Sequence, residues 1–465
     1  MFKTILFKEI KGHLGTVTFL VWLGVSCFVV WMALESGYSR YEQKYQQYLD
    51  MERAAKDGLS KEYDPLKPEE ELFRVLRQPS VLSTIVYGLE GDLPVYMSVN
   101  PNGVRSGSGG AGGSVSSLFG RLDLLLVIEL ILGLMAVVQA ATLVSSEGEN
   151  GMLKLMLSNP VSRSTVLLGK GLGGYAIVAF VFVFSTLVGL LFLSVRGFPL
   201  FEVDVLAPIL LILAGGLVYL LCIFLVGLVC SILFLNSQVA LVLSVSLWAV
   251  LSFLVPKGAW TAAELIRPVE DERTVYLRQK YARENLIRTQ HEEINKNHPH
   301  LLDAVWNDKI TDDLSAESAA AWAKYSDRIA NDLTTIAEDH HRKQQVQESL
   351  GKVLSRVSPA GSLRLLLTNV SGTGDQVKWR FLQAAWNYQN TVNDKVFAKK
   401  FLVAVWSAMW PYDMGAETPP PSPLVMALPL GSVLTELALD IALLFLYAVL
   451  LFMLAYMLFL RRSIV

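Results

Sequence analysis

Six apolar runs constrain this chain more than any other feature, because each is long enough to cross a hydrocarbon core of roughly 30 Å as a helix of about 20 residues. They fall at residues 14–34, 122–144, 171–195, 205–235, 239–255 and 434–460. The reading is an all-α polytopic membrane protein with six transmembrane helices. The first run is longer than the apolar part of a signal peptide and is followed by "ESGYSRYEQKY", with no small-residue cleavage site, so it reads as a retained helix. The fourth is too long for a perpendicular span and has to tilt or bend, with Gly215–Gly216 as the place to do so.

Basic residues in the short connections orient the bundle. Lys3, Lys8 and Lys11 precede the first span, Lys154, Arg163 and Lys170 lie around the second-to-third connection, and Arg461–Arg462 close the last. Six spans put all of these on one side, expected to be the cytoplasm, with Arg196 opposite. The N-terminal segment 1–13, the loop 145–170 and the tail 461–465 are then cytoplasmic.

Two large polar insertions fall on the other side, at 35–121 and 256–433. The first opens on a charged helical stretch, "RYEQKYQQYLDMERAAKDG", and ends on "SGSGGAGGS" (Ser106–Ser114), a flexible tether. The second reads as mainly helical. A stretch charged all round covers Asp271–Asn295, and a longer helix begins near the N-cap candidate Ser315. In that helix Trp322, Ile329, Ile336, Leu350 and Val357 recur at sevens, with Val346 and Val353 on a companion position. The period fits either a coiled-coil-like hairpin projecting from the membrane or a small helical bundle. The aromatic stretch from Lys378 reads most simply as core packing, and "TPPPSP" (Thr418–Pro423) as a stiff spacer.

The chain contains little catalytic chemistry. Forty basic residues against 42 acidic give a net charge of −2, so no nucleic-acid partner is expected. Cys27, Cys222 and Cys230 all lie inside apolar runs, which leaves no disulfide framework in the polar segments. "LLGKGLGG" (Leu167–Gly174) lacks the leading glycine and the Ser/Thr of a phosphate-binding loop. Its glycines fit close helix approach instead, and ATP hydrolysis would have to come from another chain. Five histidines, His291, His298, His300, His340 and His341, lie in the second insertion but are spread too far along the proposed hairpin for one metal site. No catalytic residue, cofactor or metal is assigned.

Charged groups inside spans need partners. Glu129 lies about two turns into the second span and Gln139 deeper. Glu129 is the candidate for lining a pathway or bonding across a helix interface. Glu436 and Asp440 sit at the N-terminal end of the last span, where the helix dipole and the headgroup zone suit anions.

The second-to-third connection, "EGENGMLKLMLSNPVSRSTVLLGK", interrupts two apolar runs with a short amphipathic helix. Met152, Leu155 and Met156 share one face, Pro160 stops the helix, and Ser162 or Ser164 starts the next. Such a helix either docks into a groove of another protein or floats at the membrane interface.

This stretch resembles the signature of ABC-2 type exporter permeases, an E-x-E-x-G-x-L run followed by S-x-P-x-S-R and G-K. The resemblance picks out Glu147, Glu149, Gly151, Leu153, Leu157, Ser158, Pro160, Ser162, Arg163, Gly169 and Lys170. It implies a coupling helix that meets a separate ABC ATPase subunit carrying ATP and Mg. It also implies a second permease copy or related permease as dimer partner, and a bacterial inner-membrane location. "MFKTILFKEIKGHLG" is similar to the family's amphipathic elbow helix, with Phe2, Ile5, Leu6 and Ile10 as its apolar side. "RQPSVLSTIVYGLEGDLP", "FLVP" and "LSRVSPAGSLRLLLTNVSGTG" resemble a bacterial subgroup with a large extracytoplasmic domain between spans five and six. The fourth-to-fifth connection, "FLNSQVA", is short and uncharged, which makes it a weak second coupling contact. Two functions follow. One is export of an amphiphilic substrate. The other is mechanotransmission, in which the outer domain moves to act on a cell-envelope partner and nothing crosses. An open groove and a dependence on Glu129 would mark the first.

Overall fold

The computed structural model describes residues 2–58, 73–100, 103–106, 122–158, 161–297, 299, 312–392, 423–425 and 434–461. Six helices are long and apolar enough to cross a membrane. They are α2 (Val17–Gly58), α3 (Leu124–Glu149), α5 (Arg163–Val195), α6 (Val203–Leu233), α7 (Ser237–Ile266) and α12 (Leu434–Arg461). A short N-terminal helix, α1 (Phe2–Leu14), precedes them, and α4 (Met152–Ser158) lies in the connection between the second and third spans.

One apolar core runs through the bundle. α6 stands at its centre against α3 and α12, which is why Tyr219, Leu220, Cys222 and Ile223 are fully buried. Gly215 and Gly216 lie inside one uninterrupted helix and serve packing rather than a break. A Cβ on Gly215 would stand 2.7 Å from Leu366 Cδ2, and one on Gly216 would stand 2.7 Å from the Phe182 ring. The glycines around Lys170 do the same: Gly169 and Gly173 admit α1, and Gly174 admits the Phe224 ring. Two spans contain a π-helical segment, Val127–Leu132 in α3 and Val250–Leu254 in α7. Both lie toward the side of the bundle that carries the polar insertions, called here the domain side. The side holding α1, α4 and the end of α12 is the terminal side.

The two insertions meet in one unit. β1 (Phe73–Arg77), β2 (Tyr96–Asn100) and β3 (Gly103–Ser106) come from the first, and β4 (Leu424–Val425) from the second. They form a four-stranded sheet of order β3-β2-β1-β4, antiparallel except for β1 with β4. The helical reading had no strands here, because short strands leave little local pattern. Helix α11 (Asp375–Val392) covers the sheet, burying Phe381, Ala385, Tyr388 and Val392 against Phe73, Val75, Met97 and Val99. This is the core-packing use of the aromatic stretch, as far as Val392. A buried ion pair, Arg77 to Glu90 at 2.7 Å, closes the same unit.

Beyond α7, helix α8 (Glu272–Asn297) lies along α9 (Asp312–Ser355) as a hairpin. The 44 residues of α9 make it about 66 Å long at 1.5 Å per residue. At its base the seam differs from the seven-residue reading. Val346, Val353 and Val357 are exposed, whereas Gly351 is the residue that meets α7, with a Cβ there 2.6 Å from the Trp260 ring. The side chains of Trp322 and Ile329, the histidines His298 and His300, most of the Ser106–Ser114 tether, and Thr418–Ser422 fall outside the described residues.

Helix α10 (Pro359–Val370) joins the hairpin to α11 and rests against the fourth, fifth and sixth spans. Its contact at Gly215 lies 12 residues along α6, so it dips about 18 Å into the bundle at helical rise. Ser358 caps it, accepting from Gly361 N at 3.0 Å.

Candidate functional site

The second-to-third connection is built from small polar residues that break one helix and start two more. At the end of α3 the amides of Val144 and Ser145 donate to Ser231 Oγ of α6 at 2.9 and 3.0 Å. That pins the last turn of the second span to the fourth. Gly151 then takes φ +70°, a left-handed conformation that glycine adopts without steric cost, and the chain reverses into α4. Leu153 is 3% exposed and Met156 packs half-buried on the bundle core. Met152 and Leu155 are exposed, Leu155 at 65%, and so are Lys154 and Ser158. Leu153 therefore anchors α4 to its own chain, and the exposed face carries Met152, Lys154, Leu155 and Ser158. Pro160 and the side chain of Leu157 lie outside the described residues. Ser162 caps α5, its Oγ accepting from Thr165 N at 3.3 Å.

The charged residues of this stretch hold neighbouring helices. Lys170 is buried at the start of α5 and contacts Glu147 Oε1 at 2.9 Å and Glu9 Oε2 at 3.0 Å. Glu9 also meets His13 at 3.5 Å. Burial pushes the Glu9 carboxyl up, but the His13 hydrogen bond and the Lys170 charge together outweigh it and hold that group below the usual range. Glu149 accepts from both the amide and the hydroxyl of Ser237, at 2.8 and 2.7 Å. With Asn236, which accepts from Gln238 N and Val239 N, it caps the N-terminus of α7. "FLNSQVA" is thus tied to the loop by Glu149, a link its lack of charge had hidden. Arg163 donates to Leu460 O at 2.9 Å, at the last turn of α12, where a cation suits the exposed carbonyls.

The domain-side end of the second span is held differently. Glu129, 2% exposed, sits in the π-helical segment and accepts from Arg364 Nε and Nη2 at 2.7 and 2.6 Å. Arg364 belongs to α10. This fork-to-carboxylate geometry is the strong form of a charged hydrogen bond. A second such pair joins Arg356, after the end of α9, to the fully buried Asp440 of α12 at 2.6 and 3.1 Å. Glu436 accepts from Asn369 Nδ2 at 3.3 Å. The two carboxylates of the last span thus serve as anchors for the insertion. Asp123 caps α3 through Leu126 N at 2.9 Å and also accepts from Tyr87 N at 3.0 Å. Gln139 donates to Gly174 O of the third span at 3.1 Å. Of the two intramembrane candidates, Glu129 bonds to the domain and Gln139 bonds across a helix interface. Their partners went unread, although one signal existed: an arginine alone in the apolar "SPAGSLRLLLTNV", beside a span carboxylate in need of a cation.

Among the described residues no group of three or more His, Cys, Asp or Glu gathers as a metal site. A family model described as ABC-2 family transporter protein matches residues 10–464. The chain belongs to the ABC-2 transporter family. It is a multi-pass membrane permease subunit of an ABC transporter, and membership implies a separate ABC ATPase as partner. No curated protein and no solved structure matches it. In this permease the signature residues Glu147, Glu149, Arg163 and Lys170 are tied within the chain, while the side chains of Met152 and Leu155 on α4 are exposed.

Proposed function

We propose that this permease works in an exporter whose ATPase subunit docks in the cytoplasm on the exposed face of α4, and that the second span carries the resulting movement to the domain side. The observation that supports this reading is that one helix, α3, is clamped at both ends. At its terminal end Glu147 meets Lys170 and Glu149 caps α7. At its domain end Glu129 grips Arg364 of α10. A shift of α4 would then move the second and fifth spans together and pull on α10. Docking drives this only if the ATPase binds the two arrangements with different affinity. Two permease copies, or this one and a related permease, would face each other in an inner membrane with both termini cytoplasmic. ATP and Mg would belong to the ATPase, and an amphiphilic substrate would leave on the domain side.

A second reading, mechanotransmission to an envelope partner without transport, is favoured by one observation: Glu129 is committed to Arg364 rather than to an open path. Both readings require the same docking step. It is tested by reconstituting the permease in liposomes with an ATPase subunit that co-purifies with it, and comparing ATPase rates for wild type and Leu155→Glu. The reading expects stimulation by the wild type and none by the variant. Equal stimulation, or failure of any ATPase to associate, rejects it. Substrate counterflow in the same liposomes separates export from mechanotransmission.

A further inference from the structure

The N-terminal helix has two faces with different tasks. One is fixed to the third span: a Cβ on Gly169 would stand 2.9 Å from Ile5, and one on Gly173 would stand 2.8 Å from Glu9 Cβ. Ile5, on the apolar side of this helix, therefore packs on protein, and the Leu6 backbone approaches the same glycines. The opposite face, at helical spacing, presents Lys3, Phe7, Lys11 and Leu14, with Lys8 on its flank, all exposed. Phe7 is 66% exposed. Two residues after α1 ends, the chain turns at Thr16, whose hydroxyl donates to His13 O at 2.7 Å, and enters the first span at Val17. That corner places α1 at the terminal-side end of the first span. Three lysines interleaved with two apolar side chains match a surface of negative headgroups over an acyl boundary. Behind this face, Glu9, Lys170 and Glu147 form a continuous chain of ion pairs at 3.0 and 2.9 Å from α1 to the end of the second span.

We infer that the exposed face of α1 binds anionic phospholipid headgroups, and that Glu9 and Lys170 transmit this engagement to the loop at 145–158, which becomes more ordered when anionic lipid is present. Lys170, marked by the family signature as a contact for the ATPase, acts here as a positioning residue that joins a lipid-reading helix to the loop. Only the consequence for ATPase coupling rests on the function proposed above.

The test uses hydrogen exchange of the full-length permease in nanodiscs of phosphatidylcholine alone or with phosphatidylglycerol. In the wild type, phosphatidylglycerol should slow exchange in both 2–14 and 145–158. Replacing Lys3, Lys8 and Lys11 by Gln should abolish both responses, each lysine contributing about fivefold to anionic-surface affinity. Glu9→Gln should keep the response of α1 and lose that of the loop, and Glu9→Asp should restore it. Undiminished slowing in the triple variant, or a wild-type loop response in Glu9→Gln, overturns the inference. If the loop responds as expected but no lipid composition yields ATPase stimulation, the lipid surface stands and the coupling role falls.

Discussion

The two ends of the second span are built on opposite principles. At the domain end the polar groups are closed on one another: Glu129 with Arg364, Asp123 with Leu126 N and Tyr87 N, Asp440 of the neighbouring last span with Arg356. At the terminal end the acids also find partners inside the chain, but α4 is left with Met152 and Leu155 in the open. A buried, fully paired joint transmits displacement and offers little for a newcomer to bind. An apolar helix face beside such a joint is where binding energy can enter. On the function proposed above, the two ends of α3 take different roles, input and output.

The largest way to break the contrast is to remove one partner of the domain-end joint. Arg364→Ala leaves Glu129 buried without its cation, which costs about 3–5 kcal/mol, and should lower the unfolding midpoint in detergent steeply. Replacing Glu129 and Arg364 together by Leu should recover most of the stability but not the mechanical link. Next, Leu153→Ala should destabilise by about 2–5 kcal/mol as a buried large-to-small change, whereas Leu155→Glu should stay within about 0.5 kcal/mol and lose ATPase stimulation. Equal thermal effects would mean that α4 is not seated as described. A smaller effect, of about 1–3 kcal/mol, is expected for Gly173→Val, which forces α1 off the third span by overpacking. It would be read as faster exchange in residues 2–14.

His341 lies between α9 and α11, its ring 4.3 Å from that of Trp386 and 5.8 Å from that of Trp379. Burial, with a smaller contribution from nearby His340 and Lys378, pushes its pKa down from 6.5 to about 4, against the Gln344 hydrogen bond. The folded junction therefore holds a neutral ring where the unfolded chain would take up a proton. Its stability should fall as pH drops from about 6.5 to about 4, seen as rising protease cleavage at the hairpin base. His341→Phe should flatten that dependence while leaving the membrane joint unchanged.

What could be read in the sequence follows from the range of each interaction. The six spans are local runs of apolar residues, and their existence needs no knowledge of the fold. Ser162, one of the two helix starts the sequence offers, was readable for the same reason, since a cap lies within a few residues of what it controls; the reversal at Gly151 was not read. The joints were not. Glu129 and Arg364 are 235 positions apart, and Arg356 and Asp440 are 84 apart, so no window of sequence contains both partners. The sheet joins Leu76 of β1 to Leu424 of β4 across about three-quarters of the chain, and strands of five and two residues carry too little alternation to declare themselves. Lys170 and Leu153 were legible as signature residues of the family. Their burial was not: periodicity in a seven-residue helix cannot say which face of α4 meets the bundle, and the partner that buries Lys170, Glu9, lies 161 positions away.

If α3 joins an input face to an output joint, hydrogen exchange of the reconstituted permease–ATPase complex should reveal it. Exchange in residues 73–106 is compared with and without ATP in wild type, Leu155→Glu and Glu129→Gln. An ATP-dependent change is expected in the wild type and none in Leu155→Glu. In Glu129→Gln, ATPase stimulation should persist while the domain no longer responds. An undiminished domain response in Glu129→Gln would contradict it, because movement would then be reaching the domain by a route that does not pass through this joint.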